Sequence, residues 1–132
     1  MVLLYKEHTE KLIGAIIKVY NSLGYGYREK EYQVAYAEEL KSGGVKFSRE
    51  LFANLKYNDK VIRRYFLDFL VEFEEVKIVV ELKVANDAYK QHFVQVLQYL
   101  QNNNIKLGLI FVLTPRQVII KRVINNGSAN SV

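Results

Sequence analysis

Asp68 and the run Glu81-Leu82-Lys83 put two carboxylates and a lysine into consecutive apolar segments, VIRRYFLDFLVEF and VKIVVELKVA. Segments of that composition read as strands. Strands bury aliphatic side chains, and charges among them are costly unless they are paired or bound to a cation. Glu74-Glu75 marks the turn between the two segments. Pairing about that turn sets Asp68 directly across from Glu81, and facing residues on antiparallel strands hold their Cβ atoms about 5 Å apart. Two carboxylates at that spacing repel unless a divalent cation lies between them. Hard oxygen ligands suit Mg²⁺ or Mn²⁺, ions that also keep waters for chemistry. Lys83 follows two residues after the second carboxylate. An ammonium there would orient or deprotonate an attacking water, or neutralise developing phosphate charge. The chemistry indicated is metal-assisted hydrolysis of a phosphodiester. The plain alternative is an edge strand with its polar face in water, where E-x-K is a common pair.

The remaining elements must position this pair. Glu7 to Ser22 places Leu12, Ile13, Ile16, Ile17 and Tyr20 at helical spacing, with Thr9 as a weak cap. Gly24 and Gly26 break that helix, and a second runs from Tyr27 to Ser42 with Glu29, Tyr32, Tyr36 and Leu40 on one side. Lys46–Tyr57, Val61–Phe73 and Val76–Val84 read as three strands with short turns, which should pair as an antiparallel meander. A third helix is expected over Asp87–Asn102. A strand buried on both faces is expected over Lys106–Leu113 and a last strand over Val118–Ile124. The fold class is therefore α/β, a mixed central sheet with a crossover helix, flanked by helices.

The composition fits one soluble domain. Of 132 residues, 50% are hydrophobic and 25% charged, enough for a single core. That domain is expected over 1–124, with the polar stretch 125–132 as a frayed tail. No apolar run approaches the roughly 20 residues of a membrane span, and MVLLYKEHTEK lacks the pattern of a signal peptide. The expected location is the cytoplasm. The absence of cysteine rules out disulfides and thiolate metal sites. A net charge of +5 favours an anionic partner such as nucleic acid without demonstrating one.

Asp68, Glu81 and Lys83, in this order of elements, resemble the PD-(D/E)XK nuclease superfamily. Its core has a helix, a three-stranded meander, a helix and a strand, and its signature is an Asp followed by E-x-K on the next strand. Leu67 stands where a Pro usually precedes the Asp. Members similar to RecB nuclease domains add Q-x-x-x-Y on the following helix, here Gln95 and Tyr99. More narrowly, LGYGYREKEY resembles the L-G-x-G-x-x-E-x-x-Y of the GxxExxY family, with Gly26, Glu29 and Tyr32 carrying the name motif. The resemblance spans roughly 10–124. It implies a restriction-endonuclease-like fold and a nuclease dependent on Mg²⁺ or Mn²⁺. It also implies that Glu29 is a helix-borne acid approaching the metal held by Asp68 and Glu81, and that Gln95 helps to position water. Tyr32 and Tyr99 would be supporting residues.

His92, Arg63, Arg64, Lys90 and Arg116 are candidates for phosphate contacts, although a solvated face accounts for them equally. The expected partner is nucleic acid, DNA before RNA, with no membrane and with a homodimer left open. Two other readings stand beside the nuclease. One is a catalytically silent nucleic-acid-binding module of the same fold, and the other is a structural partner using an exposed sheet edge.

Overall fold

The computed structural model describes residues 4–84 and 90–126. The expected start of the third helix at 87–89, and 127–132 of the expected tail, lie outside the described residues. Helices α1 (Lys6–Leu23) and α2 (Glu29–Ser42) precede strands β1 (Lys46–Tyr57), β2 (Lys60–Phe73) and β3 (Val76–Val84). Helix α3 (Lys90–Asn103) and strands β4 (Leu107–Leu113) and β5 (Val118–Ile124) follow. The sheet has the order β1-β2-β3-β4-β5. β1, β2 and β3 form an antiparallel meander, α3 carries the chain to a parallel β4, and β5 returns antiparallel. This is the mixed, helix-flanked α/β sheet expected from the sequence.

The sheet separates two apolar layers. On one side Leu12, Ile16 and Val19 of α1 and Tyr32, Tyr36 and Leu40 of α2 pack against Phe69, Val71, Val80, Leu82 and Phe111. On the other, Val96 and Leu100 of α3 pack against Leu67, Val79, Ile110 and Val112. All seven residues of β4 are buried, because helices cover both of its faces. The α1 stripe is rotated from the expected one: Val19 is buried and Ile17 is exposed. Thr9 is no cap. It lies inside the helix, buried, with its hydroxyl donating to Lys6 O and accepting from Arg122 Nη1. Asn125, expected in the tail, is buried, and its amide donates to Leu100 O and Ile105 O.

The β1–β2 hairpin turns through Asn58 and Asp59, with φ of 50° and 65°, as a two-residue turn of this hand requires. Its side chains then change faces partway along. Leu51 and Leu67 pack on the α3 side, whereas Phe47 and Phe69 pack on the α1–α2 side. Residues two apart in a regular strand share a face, so the hairpin rolls between Leu67 and Phe69. Opposite this point Glu50 takes φ 59°, a conformation that costs a non-glycine residue of order 1 kcal/mol. Alternation therefore does not carry through Asp68. Period-two alternation along β2 would put Ile62, Phe66 and Leu70 on the face of Asp68; Leu70 packs toward α3, but Ile62 and Phe66 are exposed.

Helix α3 docks at Gly108 of β4, where an added Cβ would sit 2.6 Å from Val96 Cγ1. Gly108→Ala should therefore destabilise by about 1–3 kcal/mol through overpacking. Combining it with Val96→Ala should recover part of that loss, giving a coupling of at least about 0.5 kcal/mol in a double-mutant cycle by urea unfolding. Additive losses would show that the contact does not limit packing.

Candidate functional site

The β2–β3 ladder runs from Phe73↔Val76 to Phe69↔Val80. That register, continued by one step, sets Asp68 against Glu81 as expected from the turn. The pairing there is made by side chains. Asp68 N–H donates to Glu81 Oε1 at 3.0 Å, and Leu82 N–H donates to Asp68 Oδ2 at 2.7 Å. Each carboxylate thus closes the gap where the strands part, taking a backbone donor that the ladder no longer uses. These bonds fix the geometry of both acids, and they are strongest where the carboxyl is ionised.

Glu81 is fully buried, and its Oε2 has no hydrogen-bond partner; the Lys83 ammonium lies 3.2 Å away. Burial, and then the neighbouring Asp68 charge, push the Glu81 pKa up to about 8, only partly offset by Lys83 and the Asp68 N–H. Burial also raises Asp68, against the Leu82 N–H and Lys83. For Lys83, burial favours the neutral amine, but Glu81, Asp68 and Glu29 outweigh it and hold the pKa above the usual value. Lys83 is therefore a cation at neutral pH.

Glu29 reaches this centre from α2. Its Oε1 accepts from Val84 N–H at 3.0 Å, and its Oε2 lies 3.5 Å from Lys83 Nζ. The preceding loop accounts for its aim. Gly26 has φ 129°, which a side chain would strain. The Tyr32 hydroxyl donates to Gly24 O and accepts from Tyr27 N–H, and Glu31 Oε1 accepts from Arg28 N–H at 2.9 Å. These bonds pin the turn against α2 and leave Glu29, the first helical residue, pointing at the end of β3. Tyr32 thus braces the loop that precedes Glu29.

Helix α3 closes another side. Burial and the nearby Lys83 charge hold His92 below its usual pKa, with Gln95 and Glu29 opposing, so the ring is neutral at pH 7. Gln95 lies one turn along α3 from His92, close enough to act on its ring. Tyr99 lies elsewhere, in the groove between α3 and β1 with Gln98 and Phe52. Arg63 and Arg64 are exposed on the hairpin and Arg116 in the turn before β5. Lys90 opens α3, and its side chain lies outside what the structure describes. Two participants carried no side-chain signal in the sequence: the amides of Leu82 and Val84, which orient Asp68 and Glu29.

A divalent cation suits Asp68 and Glu81. They offer hard oxygen donors, and the desolvated Glu81 Oε2 has only the Lys83 ammonium, 3.2 Å away, beside it. Among the described residues no three Asp, Glu or His side chains converge as a metal-binding group. Glu29 joins the pair through Lys83.

A family model described as the PD-(D/E)XK nuclease superfamily matches residues 6–123. No curated protein matches the chain. Among solved structures, the crystal structure of SSO0001 is similar, with a TM-score of 0.54 and 16% sequence identity. The match covers 91% of this chain and 59% of that one, and at that identity the likeness is one of fold. No helix among the described residues is long and apolar enough to cross a membrane.

Because the folded pKa of Glu81 is about 8 against an ordinary 4.5, the native state holds an extra proton between those values. Without divalent cations, stability should fall as pH rises through that window, by up to about 1.4 kcal/mol per pH unit. Thermal melts in EDTA from pH 5 to 9 should show a declining Tm, and Glu81→Gln should flatten the decline. A wild-type Tm that rises toward pH 9 would refute the buried, raised carboxyl.

Proposed function

The chain belongs to the PD-(D/E)XK nuclease superfamily, and on that premise we propose that it is a metal-dependent nuclease hydrolysing phosphodiester bonds, with DNA as the expected substrate. The observation that carries this reading is the Asp68–Glu81 pair, whose amide bonds hold both acids together at the mouth of the parting strands. A desolvated, mutually repelling pair beside a lysine is expensive as structure and useful as a cation site.

In this reading Asp68 and Glu81 hold Mg²⁺ or Mn²⁺. The ion, when bound, supplies Lewis acidity toward water and a phosphoryl oxygen. Lys83, charged and tethered by Glu81 and Glu29, donates toward the phosphate oxygens as negative charge grows on them. Glu29, the helix-borne acid of the metal set, acts as a positioning residue: it fixes the end of β3 through Val84 N–H and the direction of Lys83. Gln95 and the neutral His92 line the α3 side, where they orient water. Within the superfamily we assign the chain to the GxxExxY family, on the support of Gly26, Glu29 and Tyr32 acting as one loop device.

One observation favours the silent binding module. Asp68 and Glu81 each already satisfy a backbone donor, and no third acid stands beside them among the described residues. That reading expects salt-sensitive binding and no cleavage with either metal.

Plasmid nicking separates the two. Wild-type protein with Mg²⁺ or Mn²⁺ should nick, EDTA should abolish the activity, and Lys83→Ala should lower the rate by about 10²-fold or more. Equal rates for wild type and Lys83→Ala would remove Lys83 from the mechanism. No nicking by folded wild type with either ion would leave the silent module.

A further inference from the structure

Beyond the roll at Asp68, the β1–β2 hairpin leaves a line of large apolar side chains in water. Phe52 is 59% exposed, Phe66 56% and Ile62 62%. Phe52 and Phe66 face each other across the strands, with ring centroids 5.0 Å apart and tilted by 44°. Cations surround them. The Arg64 guanidinium stands over Phe52 at 5.3 Å, and its Nε donates to Asn54 Oδ1 at 3.3 Å. Between Leu51 and Leu67 the chain carries Lys56, Lys60, Arg63 and Arg64 against Asp59, all exposed. Phe66 precedes Asp68 by two residues, so about 7 Å of strand separates the aromatic pair from the acid pair. On the other side of Phe52, along the free edge of β1, a groove of about 500 Å³ is lined by Asn54, Lys56, Gln98, Tyr99 and Asn102. These are the donors and acceptors that base edges require.

The geometry points to this hairpin as a stacking track for an unpaired strand of nucleic acid, which it leads to the Asp68–Glu81 site. The inference rests on the nuclease reading for its destination, but the binding it describes stands apart from catalysis. Exposed aromatic faces flanked by arginine take bases whatever their sequence, while cations follow the backbone. In a duplex the base faces are already stacked on each other, so an unpaired strand is the form that fits. A second copy of the chain is the competing occupant. An isologous contact through this patch would bring four cations against four like charges, which disfavours it.

The test is fluorescence anisotropy in EDTA, with a labelled oligothymidylate and a duplex of equal length. Wild type should bind the single strand more tightly than the duplex. Phe52→Ala/Phe66→Ala should weaken single-strand binding about tenfold or more, with circular dichroism and Tm little changed. Arg64→Glu, which leaves the rings in place, should weaken it as well and reduce its salt dependence. Val34→Ala, on the exposed side of α2, should leave binding as in wild type. Wild-type affinity in both hairpin variants would overturn the track. So would a monomer–dimer equilibrium, seen by sedimentation, that the variants abolish without altering affinity. Hairpin-dependent binding without cleavage in Mg²⁺ or Mn²⁺ would uphold the track while the nuclease reading failed. Undiminished cleavage of single strands by the double variant would do the reverse.

Discussion

The buried carboxylate of Glu81 beside Asp68 is the constraint to which the rest of the site answers. A desolvated anion next to another is costly by several kcal/mol if left uncompensated. The structure meets that cost with two backbone amides and one ammonium, and burial raises the Glu81 pKa so that the acid keeps its proton more readily. Each compensation has its own supporting element. The amides exist because β2 and β3 part just beyond Phe69↔Val80. The ammonium stays charged because Glu29 joins Glu81 around it, and Glu29 is there because Tyr32 pins the Gly24–Tyr27 loop.

The parting of the strands has a visible cause. The hairpin rolls at Asp68 and Glu50 adopts a left-handed conformation opposite it. Rolling moves the outer half of the hairpin from the α1–α2 layer to the α3 layer, where Tyr65 donates to Gln98 at 2.6 Å. The same motion frees the Asp68 and Leu82 amides for the carboxylates and turns Phe52 and Phe66 outward. One local distortion thus accounts for both the acid geometry and the aromatic surface.

Much of this was legible in the residues themselves. The bounds of β1, β3 and β5 follow from apolar runs closed by turn residues, and β4 from a continuous aliphatic segment that must be covered twice. The opposition of Asp68 and Glu81 follows from a tight turn at Glu74-Glu75, since a short turn fixes register for the whole ladder. Local residue type does not settle the environments of Thr9, Ile17 and Asn125, which are decided by packing between distant parts of the chain, such as Arg122 for Thr9 and Leu100 for Asn125. Ile62, Phe66 and Leu70 do not share one face because period-two alternation holds only in a regular strand, and the hairpin rolls at Asp68.

The sequence by itself determined which chemical groups exist and, through turn length and periodicity, which of them fall in register: two acids, a lysine and a glutamate after a glycine turn. Only the tertiary structure decided what those groups touch. That Asp68 bonds Leu82 N–H, that Glu29 reaches Val84 and Lys83, and that Tyr99 faces a groove apart from the acids depend on backbone amides and on the roll of a hairpin. A residue's type does not encode these contacts, because backbone donors are the same at every position and are assigned by the path of the chain.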